Sequence, residues 1–316
     1  MRYKIFGKTG LNISQVSAGT WGAGGSGWGK ADRSDVIGAL RSMLDYGVNL
    51  IDTAPVYGMG YAEELVAEAI RGVDREKLII STKGGLKIDD PAGGVKKIAS
   101  RQEMINGCEA SLRRLGVDYI DILFIHWPDA STPVAETLEA MNDLKAQGKI
   151  GHIGLSNFSI PEMREASKHA VIGAIQPPFS MVEQSALDIM KWAEADNIGC
   201  MTYASLGAGI LSGAIRQITD FGAGDVRGGF YDYFKEPKFS KVMALLRAMD
   251  KIAEDRGVTH AQIAINWVAQ KSYAHTALVG VRKTAHAADN CGAMDWLLTD
   301  GEIAVLDAES TKLFGK

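Results

Sequence analysis

Cysteine is scarce in this chain. There are three, Cys108, Cys200 and Cys291, an odd number set far apart. That excludes a disulfide framework. No metal-ligand spacing joins them to the six histidines, so no metal site is expected. Three reduced thiols in a cytosolic core are the expectation. Apolar runs are short as well, and none approaches the ~18 residues of a membrane span. The opening residues, MRYKIFGKTG, lack the apolar core of a secretory signal, which points to a cytoplasmic protein. Charge of one sign is also missing. The net charge is −4, Lys and Arg are scattered, and there is neither a basic tail nor an aromatic–basic stripe. Nucleic acid and membrane are therefore not expected partners. No low-complexity linker divides residues 1–316, so a single domain is expected.

What is present is ordinary globular material, 46% hydrophobic, ample for a large core. Eight short apolar runs recur: 15–20, 48–53, 78–83, 121–126, 152–156, 170–176, 198–204 and 276–280. Several are continuously apolar, as parallel strands covered on both faces should be. Amphipathic stretches lie between them. AEELVAEAIRG aligns Leu65, Val66, Ala69 and Ile70. MINGCEASLRRLG aligns Met104, Cys108, Leu112 and Leu115. LEAMNDLKAQG aligns Leu138, Met141 and Leu144, and FSKVMALLRAMDKIAEDRG aligns Val242, Leu245, Met249 and Ile252. Their terminal glycines, Gly72, Gly116, Gly148 and Gly257, suit left-handed helix caps. Eight strand–helix alternations predict a (β/α)8 TIM barrel in the α/β class.

Two segments break the rhythm. MRYKIFGKTGLNIS reads as a β-hairpin turning at Lys8-Thr9-Gly10. Residues 212–237 form a long, glycine-rich, aromatic loop, a length usual for a lid or binding loop. A literal GxGxxG, Gly22 to Gly27, follows the first strand, and Asp52 follows about 25 residues on, which invites a Rossmann reading. That fingerprint needs its third glycine to open a helix directly. Here GWGKADRSD intervenes, so a flexible loop is the better reading.

In a barrel, function gathers where strands end. Those ends supply Asp52, Lys83 and His126, and Tyr57 begins the loop after DTAPVYG. Each alone has a structural explanation: a turn cap, a snorkelling ammonium, a hydrogen-bonded core imidazole, a packing phenol. Four at one rim are a coherent proton-handling set. A phenol titrates near pH ~10, sluggish as an acid at neutral pH. An ammonium at ~4 Å attracts its phenolate by ~4 kcal/mol at an effective dielectric of ~20. Lys83 is thus expected to pull Tyr57 toward working pH, with Asp52 keeping Lys83 charged. His126 would orient a substrate oxygen. Nothing in the set can supply hydride, so a cofactor must.

The chain resembles the aldo-keto reductase family over nearly its whole length, in FGKTGLNIS, GTWGAGG, DTAPVYG, LIISTKGG, ASLRRLGVDYIDILFIHWPD, IGHIGLSNF, AIQPPFS, TYASLGAGILSG and GVRKTAHAADN. The resemblance implies a catalytic tetrad of Asp52, Tyr57, Lys83 and His126, with Tyr57 as proton donor. It implies NADP(H) extended across the barrel mouth, near Gly19, Thr20, Trp21 and Asp52. Ser156, Asn157 and Gln176 would meet the nicotinamide carboxamide, and Tyr203 its ring. Ala204, Ser205, Leu206, Gly207, Gly209 and Leu211 would line the pyrophosphate through free backbone N–H groups. Gly280, Val281, Arg282, Lys283, His286, Asp289 and Asn290 would hold the adenosine phosphate, the two cations suiting a 2′-phosphate. The chain departs from the family at Ala204, where a hydroxyl is usual and Ser205 is the candidate substitute. It departs again at His286 and at MVEQS after AIQPPFS, which bears on cofactor preference. By the same resemblance, the loop around Asp225, Val226 and Arg227 would close over bound cofactor.

The resulting expectation is an NADP-dependent oxidoreductase reducing aldehydes or ketones, with Trp21, Trp28, Tyr57, Trp127 and aromatics at 229–234 as candidate pocket walls. The substrate is a small carbonyl compound or sugar. The alternatives are a sugar or alcohol dehydrogenase working oxidatively, and a cofactor-sensing regulatory subunit of the potassium-channel type. A chain starting directly at the hairpin argues against the last. Either a monomer or a homo-oligomer is compatible with the sequence.

Overall fold

The computed structural model describes residues 1–25, 27–29, 31–87 and 94–314. Ser26 of the glycine-rich motif and Lys30 lie outside these. The strands are β1 Tyr3–Ile5, β2 Asn12–Ser14, β3 Val16–Gly19, β4 Leu50–Asp52, β5 Ile79–Gly84, β6 Leu86–Lys87, β7 Lys96–Lys97, β8 Ile120–Ile125, β9 Ile150–Ser156, β10 Ile172–Gln176, β11 Gly199–Thr202 and β12 Thr276–Gly280. The helices are α1 Arg33–Asp45, α2 Tyr61–Ala69, α3 Arg101–Leu115, α4 Val134–Ala146, α5 Ile160–Ala166, α6 Leu187–Ala195, α7 Val226–Gly229, α8 Lys238–Arg256, α9 His260–Ala269, α10 Thr284–Gly292 and α11 Asp300–Phe314. Strands β3, β4, β5, β8, β9, β10, β11 and β12 close into a parallel barrel, the last pairing with the first. Each coincides with one of the eight predicted runs.

Period-two alternation explains both the core and the mouth. Leu50, Ile79, Ile122, Phe124, Ala174, Met201 and Leu278 form one buried cluster with Phe6 and Ile13 of the β1–β2 hairpin. Two residues further along the same strand faces come Asp52, Ser81, His126, Gln176, Tyr203 and Gly280, and Lys83 follows Ser81. The lower barrel is thus filled with apolar side chains, plugged by the hairpin, and the upper rim is polar. A larger cluster fills the space between barrel and helices. Met104, Leu138, Met141, Leu144, Val242, Leu245 and Met249 are fully buried there.

Gly116 and Gly257 cap α3 and α8 in the left-handed conformation, as predicted. Helix α2 stops at Ala69, short of Gly72. The 212–237 loop is partly ordered by α7 and a 3-10 turn at Asp232–Phe234. No helix among the described residues is long and apolar enough to cross a membrane.

Candidate active site at the barrel mouth

Asp52 ends β4 and Lys83 lies near the end of the adjacent strand β5. Both are buried, at 3% and 1% exposure. The Lys83 ammonium donates to Asp52 Oδ2 at 2.6 Å and to the Thr53 carbonyl at 2.9 Å. Ser81 Oγ and Gln176 Nε2 each donate to Asp52 Oδ1 at 2.8 Å. A buried carboxylate with three donors and a buried ammonium with two acceptors satisfy what burial demands of ion pairs. Burial draws the Lys83 pKa below its ordinary value, and the Asp52 charge and hydrogen bond oppose that shift.

Tyr57 stands above this pair on the β4–α2 loop, with the Lys83 ammonium 4.9 Å from its ring centre. His126 follows β8, its ring 5.9 Å from that of Tyr57 and perpendicular to it. The structure therefore brings Asp52, Tyr57, Lys83 and His126 to one rim. One electrostatic expectation is reversed. Burial, then the Asp52 charge, pushes the Tyr57 phenol well above its ordinary value of 10.0. The Lys83 charge is directed to Asp52 and the Thr53 carbonyl, so the desolvated phenol holds its proton. Burial, then the Lys83 charge, drives His126 well below 6.5, leaving a neutral imidazole.

A second hydrogen-bond chain runs beside the first. Tyr203 hydroxyl donates to Asn157 Oδ1 at 3.0 Å, and Asn157 Nδ2 donates to the His126 carbonyl at 2.9 Å and Ser156 Oγ at 3.0 Å. Ser156 Oγ donates to the Gln176 carbonyl at 2.8 Å. Ser81 was not singled out from the sequence. It lies two residues before Lys83 on one strand, so strand parity alone put it on the same face. Buried Glu63 was missed too. It accepts from Thr82 Oγ1 at 2.7 Å and Arg114 Nε at 2.6 Å, one layer behind Lys83.

A dinucleotide needs an open seam across this rim. Gly19 and Gly280 face each other in register at the ends of β3 and β12. A methyl group added at Gly280 would meet nothing closer than the Gly19 carbonyl at 4.0 Å. The seam leads from Thr20 and Trp21 toward Val281, Arg282 and the exposed Lys283 and His286. These features fit an extended dinucleotide, with two differences from expectation, at the backbone N–H groups after Ala204 and at Ser205. The N–H groups of Gly207, Gly209 and Leu211 donate to the carbonyls of Ala204 and Leu206 at 2.7, 3.0 and 3.2 Å, so they close a turn instead of standing free. Ser205 is buried and donates to the Thr202 carbonyl, so it does not replace the hydroxyl missing at Ala204. Arg282 donates to the carbonyls of Trp28 and Gly29 at 2.8 and 3.2 Å. Asp289 accepts from Thr259 and Gln262 on the α9 side, while Asn290 is buried.

The glycine-rich motif has a packing role here. Trp21 to Gly24 make a 3-10 turn, and no helix begins at Gly27. The Trp21 ring stacks on Tyr57 at 6.3 Å and meets Trp28 edge-on at 5.3 Å. The 212–237 loop docks on this turn through Val226 N–H to the Gly27 carbonyl at 2.9 Å. Asp225 holds Arg227 in a two-pronged pair at 2.9 and 2.6 Å, and the Arg227 guanidinium lies over the rings of Phe221 and Trp28.

A closed parallel barrel with a buried Asp–Lys pair at its C-terminal rim and an open seam beside it has its polar groups where barrel enzymes carry their sites. The family model described as "Aldo/keto reductase family" matches residues 15–310, and the chain belongs to that family of oxidoreductases. It is 36% identical over 287 residues to "Aldo-keto reductase YhdN" of Bacillus subtilis (strain 168), covering 90% of this chain and 86% of that protein. It is 34% identical over 313 residues to a "Probable voltage-gated potassium channel subunit beta" of Arabidopsis thaliana, covering 93% of this chain and 92% of the other. Among solved structures it is similar to the glycerol dehydrogenase AKR11B4 from Gluconobacter oxydans, with a TM-score of 0.88, 34% identity, and 97% and 94% of the two chains covered.

Proposed function

We propose that this protein is an NADP(H)-dependent reductase of aldehydes or ketones in the cytosol, with Tyr57 as proton donor. The observation that carries the reading is the Asp52–Lys83 pair buried directly beneath Tyr57, with His126 beside it. Bound NADPH supplies a hydride to the carbonyl carbon. Gln176, Asn157 and Tyr203 would hold the nicotinamide, the Gly19–Gly280 seam the pyrophosphate, and Arg282 and Lys283 a 2′-phosphate. Neutral His126 donates a hydrogen bond to the carbonyl oxygen and fixes its direction. Tyr57 transfers its phenolic proton to that oxygen as negative charge develops there, giving the alcohol. The raised phenol pKa keeps the proton in place until then. The Lys83 ammonium faces the phenolate left behind, and Asp52, held by Ser81 and Gln176, keeps that ammonium charged. Free, buried Cys108, Cys200 and Cys291 agree with a reducing compartment.

A second reading is favoured by the likeness to a glycerol dehydrogenase: the same residues oxidising an alcohol, with Tyr57 as base. The deciding experiment incubates the protein with aldehydes, ketones, polyols and sugars, using NADPH, NADH and their oxidised forms in both directions. Faster carbonyl reduction with NADPH supports the first reading. Oxidation of polyols alone establishes the second. No turnover in any combination, together with retained dinucleotide binding, points to a sensing role like that named for the channel-subunit relative.

A further inference from the structure

Tyr57 is the one member of the quartet carried by a loop instead of a strand end, yet proton transfer tolerates little misplacement. What holds it is the turn of the glycine-rich motif. The turn is rooted beside the site, because both the Thr20 N–H and its hydroxyl donate to the Asp52 carbonyl, at 3.1 and 3.0 Å. Trp21 stacks on the Tyr57 ring. Gly24 then lies directly against the Tyr57–Gly58 peptide. A methyl group on Gly24 would fall 2.5 Å from the Tyr57 carbonyl carbon and 2.8 Å from its oxygen and from Gly58 N. A methyl group on Gly58 would fall 2.3 Å from the Gly24 carbonyl oxygen. Two stretches of backbone therefore touch with no side chain between them. Beyond the contact the chain runs through three successive left-handed residues, Gly58, Met59 and Gly60, at φ 66°, 57° and 94°. The two glycines take this conformation freely, whereas Met59 holds it only because its surroundings enforce it. The Tyr57 and Gly58 carbonyls are further tied by the N–H groups of Ala62 and Tyr61, both at 3.2 Å. On its far side the turn is gripped by the 212–237 loop at Gly27 and by Arg282 at Trp28 and Gly29.

We propose that this turn is a brace that positions the Tyr57 hydroxyl, with Gly24 as its contact point and Gly58 as the surface it bears on. The proposal rests on the reading of Tyr57 as proton donor. Gly24 acts through Tyr57 and is a positioning residue. Its glycine serves close approach alone, since its φ lies outside the left-handed region. Alanine there adds an obstacle without adding backbone strain.

The test compares Gly24→Ala with Gly22→Ala in the same turn, where the added methyl meets only Arg282 Cδ, at 3.8 Å. The brace predicts that Gly24→Ala lowers kcat by about tenfold or more while KM and the dinucleotide Kd move less than about twofold. It also predicts a changed near-UV circular dichroism signal from the Trp21–Tyr57 stack in protein without cofactor. Gly22→Ala should match the wild type in all of these. In a Tyr57→Phe background, Gly24→Ala should cost less than about twofold more, because the hydroxyl it positions is gone. An unchanged kcat in Gly24→Ala, or the same loss in both backgrounds, overturns the brace. An unchanged rate in Tyr57→Phe alone overturns the donor assignment instead, and the near-UV signal of Gly24→Ala then still reports on the contact. If Gly24→Ala does not fold, hydrogen exchange of the wild-type protein decides. The brace predicts that 54–62 is protected together with 18–25, and rapid exchange of 54–62 against a protected barrel contradicts it.

Discussion

Two lysines at opposite ends of the barrel are drawn out of water, and their surroundings separate structure from chemistry. Lys4, on the hairpin that plugs the closed end, donates to the carbonyls of Ala269, Lys271 and Ala274 at 2.8, 3.1 and 2.8 Å. These lie at and just beyond the C-terminal end of α9, where cations are favoured. Burial, then the Arg2 charge, pulls Lys4 down to about 8, opposed by Glu194 and Cys200. Lys83, at the open end, instead meets a carboxylate that is itself held by Ser81 and Gln176, and a phenol lies above it. Neutral carbonyls satisfy an ammonium and fasten one element to another. A held carboxylate opposes the loss of the ammonium's charge, and in the proposed mechanism that charge faces the phenolate as it forms. The lesson is that burial of a lysine says little about function until its partner and what faces it are known.

The sharpest way to break the comparison is to remove each ammonium in turn. Lys83→Met should reduce turnover by roughly 10³-fold or more and destabilise the fold by about 3–5 kcal/mol through the unpaired Asp52 carboxylate. Steady-state kinetics and chemical denaturation read these two effects. Lys4→Met should leave kcat unchanged and cost about 2 kcal/mol, because the Ala269, Lys271 and Ala274 carbonyls lose their donor. If Lys4→Met abolishes turnover while the fold survives, the division between the two ends is wrong.

Cofactor choice comes next in size. Arg282→Ala should erase a preference for NADPH over NADH, seen as converging Kd values, and should loosen the 21–29 turn through loss of the bonds to Trp28 and Gly29. Equal discrimination before and after the substitution would remove Arg282 from the phosphate site. The smallest effect is a pH dependence. Because folded Lys4 titrates near 8 and the unfolded side chain near 10.5, the unfolded state holds more protons between those values. Stability of the wild type relative to Lys4→Met should therefore rise as pH increases through that window. A fall would mean that the charged form is the favoured one in the folded protein.

Much of this was legible in the sequence. The eight apolar runs became the eight barrel strands because parallel strands covered on both faces need continuous apolar stretches, and strand parity carried Asp52, Lys83 and His126 to the rim. The hairpin and the caps at Gly116 and Gly257 follow from local rules in the same way. Three features were not legible. The direction of the Tyr57 shift depends on burial and on where the Lys83 ammonium points, both set by tertiary packing. The closed turn at Ala204–Leu211 looks, as a string, like a row of free N–H groups, because small residues show flexibility but not which carbonyl each amide meets. The Gly24–Gly58 contact joins two loops distant in sequence, and a glycine leaves no trace of what presses on it. The GxGxxG reading was rightly set aside for want of a helix, but its glycines turn out to be packing contacts, not merely a flexible loop.

The most direct test of the central claim, that Tyr57 delivers a proton from above the Lys83–Asp52 pair, is single-turnover carbonyl reduction by Tyr57→Phe with saturating NADPH. The account predicts a loss of roughly 10²–10⁴-fold in the chemical step, with dinucleotide binding and thermal stability close to wild type. A Tyr57→Phe enzyme that reduces its best carbonyl substrate at the wild-type rate would contradict it.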